Sequence, residues 1–208
     1  PKSMKRSRDD VDVALKAHST NCSSFVQILG LDTGDTVPSV LIVTESTRCI
    51  FNAGDGLQRF CNQHQIKMNR LNNLFLTRLD ADTVGGLLGM YLTLADSGIK
   101  KLAVHGPVGI SRFIKAGSGF CENRPEAQLE PSELQPPFNP VVVDSSLAVT
   151  PIVVLREGVA PCEEAGRPLV GSVAVSYVAR LADIAGRFDV GRAKAVGVPA
   201  GPLFGRLK

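Results

Sequence analysis

The sequence predicts a layered α/β domain, on three observations. Between residues 25 and 116, short β-rich apolar runs alternate with glycine turns and helix-period stretches. From 141 to 181 the apolar runs lose helical spacing and look like an antiparallel set of strands. With 208 residues, 44% of them hydrophobic, and no tryptophan, the chain can fill one substantial core with Leu, Val, Ile and Ala. Short helices after short strands, then an antiparallel run, suit helices and sheets stacked in layers.

In chain order, residues 1–21 are polar, charged and without sustained periodicity, the pattern of a flexible lead-in. Residues 25–29 and 39–43 are β-rich runs separated by a Gly/Asp/Thr loop. A third strand spans 47–51, with a tight hairpin turn near Ser46 and Thr47. Asn52-Ala53-Gly54-Asp55-Gly56 is a glycine-rich turn opening a helix over about 57–63. A short buried strand follows at 74–76. Leu87, Met90, Tyr91 and Leu94 fall at i, i+3, i+4 and i+7, which predicts a helix over 85–97 with Gly98 as its C′ cap. Residues 102–105 form the next strand, Gly106-Pro107 its turn, and 110–116 a helix. The stretch 117–140, rich in Pro, Glu, Asn and Gln, reads as an irregular connection. Residues 141–143, 147–154 and 172–181 read as strands, with an exposed loop over 156–168. Beyond them, a helix is expected only around 189–196.

Charge is unevenly spread. Residues 180–208 carry net +4, the first 16 residues net +2, and the middle net −3. Basic ends on a mildly acidic body suit a polyanionic partner reached by those ends, though a solvated tail has the same composition. No apolar run approaches the ~20 residues of a membrane span. The five cysteines, an odd count, show no C-x-x-C or zinc-finger spacing. Together with the lack of a secretory apolar segment, they point to reduced thiols in an intracellular protein. Cys49 and Cys61 read as small core hydrophobes. The Lys-Arg-Ser-Arg run at 5–8 suits either a nuclear address or a transit-peptide flank.

The chemistry-bearing segment is 74–89, Leu-Phe-Leu-Thr-Arg-Leu-Asp-Ala-Asp-Thr-Val-Gly-Gly-Leu-Leu-Gly. It resembles the turn at which metallo-β-lactamase-type hydrolases carry His-x-His-x-Asp-His. The corresponding positions here are Arg78, Asp80, Asp82 and Thr83. A zinc hydrolase needs neutral imidazoles and carboxylates around the ion, with one position open for water. Arginine offers only donors and stays charged. At ~4 Å and an effective dielectric of ~20, its charge costs on the order of 8 kcal/mol against a divalent ion. A structural zinc site with every ligand present is worth roughly 10–16 kcal/mol. No metal is expected at this turn.

Several segments together resemble the amino-terminal half of the long-form ribonuclease Z family, which trims transfer-RNA 3′ ends. They are Phe-Val-Gln-Ile-Leu-Gly at 25–30, Phe-Asn-Ala-Gly-Asp-Gly-Leu-Gln-Arg-Phe at 51–60 and Leu-Asn-Asn-Leu-Phe-Leu-Thr-Arg at 71–78. Val-Gly-Gly-Leu-Leu-Gly-Met at 84–90, His-Gly-Pro at 105–107 and the Gly/Ala/Pro-rich 186–202 complete the series, in family order. The resemblance implies a metallo-β-lactamase-like αββα sandwich, here its first half plus a projecting arm. It divides the chain into a lead-in (1–21), a degenerate domain (22–185) and a basic tRNA-binding arm (186–208). It also implies that the zinc ligands are lost here and kept in a catalytic carboxy-terminal half, where two zinc ions would activate water. Precursor tRNA and that other half, or a complementing chain, are the implied partners; the sequence leaves nucleus, mitochondrion and plastid open as the compartment. A half-sandwich would expose an apolar sheet face unless a continuing chain or another polypeptide covered it.

On the arm, Arg187, Arg192, Lys194 and Arg206 are expected to reach RNA phosphates. Gly197, Gly201 and Pro202 would shape backbone amides towards them. Other residues read as structural: Asp80 as an ion-pair partner of Arg78, Asp55 as an acceptor at the next helix start, and His105 as a packed residue. His18 and His64 have no partners at ligand spacing, and no phosphate-loop or Ser-His-Asp pattern stands out. Two rival readings remain: a stand-alone pseudoenzyme binding structured RNA or a protein, and a divergent metal hydrolase using Asp80 and Asp82.

Overall fold

The computed structural model describes residues 24–30, 36–119, 128–135, 139–155, 173–183, 189–199 and 201–206. Among the described residues, nine strands make two sheets. The first sheet has the order β1 (Phe25–Leu29), β2 (Ser39–Val43), β3 (Arg48–Phe51), β4 (Leu71–Phe75), β5 (Lys101–Gly106), β6 (Gln128–Glu133). β1, β2 and β3 are antiparallel neighbours; β3 to β6 run parallel. The second sheet is β7 (Val141–Val142), β8 (Leu147–Leu155) and β9 (Val173–Leu181), all antiparallel. The helices are α1 (Leu57–Gln63), α2 (Ala81–Val84), α3 (Leu87–Asp96), α4 (Ile110–Gly117), α5 (Val190–Ala195) and α6 (Leu203–Arg206).

Strand alternation decides which side chains meet which layer. In β2 and β3, Leu41, Val43 and Ile50 point to the helices and join Leu57, Leu87, Met90 and Ile110 in the main core. Their alternate neighbours Ile42 and Cys49, with Phe75 of β4, point the other way and pack on Leu147 and Val149 of β8. Helices, first sheet and second sheet therefore stack as three layers.

The early elements match the periodicity in the sequence. Gly98, at φ +83, ends α3 in the left-handed conformation that a C′ glycine supplies. The hairpin between β2 and β3 closes through Thr44, whose N–H donates to Thr47 O at 2.9 Å. Cys49 and Cys61 are buried, and burial pushes their thiols up to about 12 and about 11.

One expectation fails. The stretch read as irregular between 117 and 140 contains β6, which pairs with β5 in register from Lys101–Gln128 to Gly106–Glu133. Its one large aliphatic residue and its Pro131 hide it from a pattern search. As the edge strand of the described sheet it bonds on one side only, where a proline is tolerated. α2, α6 and the extension of β4 back to Leu71 also go beyond the sequence pattern. The expected loop at 156–168 lies outside the described residues.

Candidate functional site: a rewired metal turn and a basic arm

The turn sits at the carboxy-terminal ends of β3 and β4, and the surrounding backbone determines it from several sides. Asn52, at φ +65, leaves β3 in the left-handed region that asparagine tolerates. Its Oδ1 accepts the Thr77 N–H at 2.9 Å and the Thr77 hydroxyl at 3.0 Å. From the second sheet, Val175 N–H donates to Thr77 O at 2.7 Å and the Tyr177 hydroxyl donates to Leu76 O at 2.6 Å. Tyr177 also meets Phe51 and Phe75 edge-on, at 5.6 and 5.3 Å.

Two glycines let the loops touch backbone to backbone. Ala53 N–H donates to Thr83 O and Gly86 N–H to Ala53 O, both at 2.8 Å. A Cβ on Gly86 would sit 2.1 Å from Gly54 O, and one on Gly54 would sit 2.4 Å from Asp82 O. Neither position has room for a side chain.

At Arg78, Asp80 and Thr83 the polar groups serve one another. Asp80 caps α2: its Oδ1 accepts Thr83 N–H at 3.0 Å, while Thr83 Oγ1 accepts Asp80 N–H at 3.3 Å, a reciprocal capping box. The Thr83 hydroxyl lies 2.7 Å from Arg78 O and 2.8 Å from Asp80 Oδ1. Arg78 Nε lies 3.1 Å from the remaining oxygen, Asp80 Oδ2. Asp82 is exposed. A zinc ion of the kind metallo-β-lactamase-type hydrolases hold does not fit the donor set of these four residues. One position is a cation, one carboxylate is engaged through both oxygens, and the threonine hydroxyl is committed to the cap. Among the described residues, no group of three or more His, Cys, Asp or Glu comes together as a metal site.

His105 is buried beside this region. Its Nε2 lies 3.1 Å from Asn73 Oδ1, its ring stacks on Phe75 at 4.8 Å, and burial lowers its pKa to about 4. It is a neutral packing residue. Asp55 accepts its neighbour's N–H, Gly56 N at 2.9 Å, at the residue preceding α1. His64 lies against the Phe60 ring.

The basic segment carries α5, whose amino end is capped by Asp189 accepting Gly191 N–H at 2.8 Å and Arg192 N–H at 3.1 Å. The helix buries none of its residues, and Arg192 and Lys194 are exposed. Two residues apart, they do not share a face of the helix. Gly197, at φ +87, follows the helix; Gly201 and Pro202 lead into α6, which ends at Arg206. Arg187 lies outside the described residues. Sequence reasoning missed the capping box, although Asp80 three residues before Thr83 is its signal. It also missed the Tyr177–Leu76 bond, which links positions 101 residues apart and leaves no local trace.

A sequence model of the tRNase Z endonuclease family matches residues 27–86. The chain is 37% identical over 203 residues to a mitochondrial tRNase Z of Arabidopsis thaliana, TRZ3, covering 93% of this chain and 22% of that protein. It is 27% identical over 183 residues to the mitochondrial ribonuclease Z of Drosophila melanogaster, covering 88% and 22%. The crystal structure of a long-form RNase Z from yeast superposes with a TM-score of 0.59 at 27% identity, over 67% of this chain and 18% of that one. Human short-form tRNase Z shares the fold, at 20% identity and a TM-score of 0.54. The chain spans about a fifth of the length of these long relatives. It is a metallo-β-lactamase-fold protein of the tRNase Z family.

Proposed function

We propose that this chain is the amino-terminal, tRNA-holding half of a long-form tRNase Z, with phosphodiester cleavage assigned to a zinc-bearing second half. The observation that carries the reading is the turn itself. Arg78, Asp80 and Thr83 bond to one another where a hydrolase of this fold would need metal ligands. The exposed basic helix supplies the complementary role, since cations on an unburied element can grip RNA phosphates by shape rather than sequence. On this reading residues 22–185 form the degenerate domain and 186–208 the arm. Arg187, Arg192, Lys194 and Arg206 are its phosphate contacts, with Gly197, Gly201 and Pro202 shaping the backbone. Relatives with mitochondrial names make that organelle the first address to test.

The test is precursor-tRNA binding across a salt series, with metal content measured on the same preparation. Arg192→Glu combined with Lys194→Glu is expected to weaken binding and flatten the dependence of log K on log salt by about 2, one unit for each phosphate no longer gripped. Unchanged binding at ~100 mM salt removes the arm from the mechanism. Stoichiometric zinc that disappears on Asp82→Ala would overturn the non-catalytic assignment.

A further inference from the structure

A second group of cations lies at the other end of the first sheet. β3, β4 and β5 run parallel, so their first residues gather at one rim while the Arg78–Asp82 turn sits beyond their last. Arg48 pairs with Leu71, and the Asn73–Ala103 register sets Leu71 level with Lys101. At ~3.3 Å per residue the rim lies roughly 13–20 Å from the turn.

Two arginines are joined there through their backbones. Arg48 Nη1 donates to the Lys67 carbonyl, Arg70 Nη1 donates to the Glu45 carbonyl at 2.9 Å, and Arg48 N–H donates to Arg70 O at 3.0 Å. Neutral carbonyls fix both head groups without neutralising either. The ion pairs Arg78–Asp80 and Lys101–Glu130 lie elsewhere. Burial, and then the neighbouring Arg70 charge, push the Arg48 guanidinium below its ordinary value. Arg70 sits at φ +66, a left-handed backbone that penalises a residue with a side chain.

A guanidinium has five N–H donors, and a single carbonyl bond leaves the rest of the fork available for the oxygens of a phosphate. An anion between the two arginines relieves their repulsion. Exposed Lys67 and Lys100 extend the cations along the same rim, which favours a repeating anion over a single carboxylate. We propose that Arg48 and Arg70, with Lys67 beside them, bind the phosphate backbone of RNA at this rim. The inference rests on the reading of the chain as a tRNA holder and adds a binding surface separate from the arm.

The experiment measures precursor-tRNA binding by the 208-residue chain across a salt series, for the Arg48→Gln/Arg70→Gln double variant beside the arm double variant. With two phosphates released, the salt slope of the rim variant is expected to fall by about 2, and Arg70→Lys to retain most of it. A rim variant that matches the unaltered chain in affinity and slope overturns the proposal, whatever the arm variant does. An arm variant that binds normally beside a weakened rim variant overturns the arm instead. If the double variant fails to fold, Arg70→Gln and Lys67→Glu, both at exposed positions, carry the same test, with a slope decrease of about 1 each. Poly-glutamate competing as well as RNA does would overturn the assignment to phosphate and point to an acidic polypeptide.

Discussion

His105 and Asp80 show how a residue's role follows from its immediate surroundings. His105 is held neutral by burial, with a folded-state pKa of about 4 against an ordinary 6.5. Between those values the unfolded chain binds a proton that the folded chain refuses, so stability falls as pH drops from 6.5 to 4. At 1.36 kcal/mol per unit the loss approaches about 3 kcal/mol. His105→Gln keeps an amide donor for Asn73 and removes the titration; urea unfolding between pH 7 and 4.5 should show a shallower slope. An identical slope would mean that His105 is not the titrating group. At the turn, Asp80→Ala removes both the cap and the ion pair. It is expected to cost about 1–2 kcal/mol in the same assay, most of it from the cap, because the exposed ion pair contributes little. The sequence shows that the histidines are gone. It does not show that their replacements would bond to one another, because that depends on where three side chains converge.

Elements depend on bonds that cross between them. β6 contributes Glu133, whose Oε1 accepts Gly109 N–H at 3.1 Å and Ser111 N–H at 3.2 Å, capping α4 from another element. Burial pushes this carboxyl up, but bonds from Ser111 and Gly109, helped by the Arg112 charge, outweigh it and hold it below the ordinary value. Glu133→Ala should destabilise the fold by about 1–2 kcal/mol, read from the denaturation midpoint. Gly86→Ala is a harsher change. Its Cβ meets a backbone carbonyl that cannot rotate away, so a loss of about 3 kcal/mol or more is expected. A Gly86→Ala variant as stable as the parent would mean that the two loops do not meet as described. The glycines were legible as a turn signal, whereas the partner that excludes a side chain was not.

For the molecule as a whole, the consequential feature is the inner face of the first sheet. Val26 and Ile28 pair with Ile42 and Val40, on the side facing the second sheet, yet are 61% and 64% exposed. An open groove of about 640 Å³ runs between Ile28 and Val40 on one side and Val175 and Tyr177 on the other, reaching Arg78. An apolar groove beside an edge strand favours self-association. Ile28→Lys should leave stability within about 0.5 kcal/mol and reduce association in sedimentation velocity. A parent chain that stays monomeric at high concentration would sink this expectation.

Much of this architecture was written locally. Strands β1, β2, β3, β5, β7, β8 and β9, helices α1, α3, α4 and α5, and the absence of the histidines from the turn follow from apolar periodicity, glycine punctuation and side-chain chemistry. All of these act within a few residues along the chain. Tertiary structure decided the rest: β6 as a strand, the capping of α4 by Glu133, the Arg78–Asp80–Thr83 network and the Arg48–Arg70 pairing. Each joins groups whose affinity for one another has no effect until the sheet sets them side by side. No window of sequence contains both partners at their folded distance.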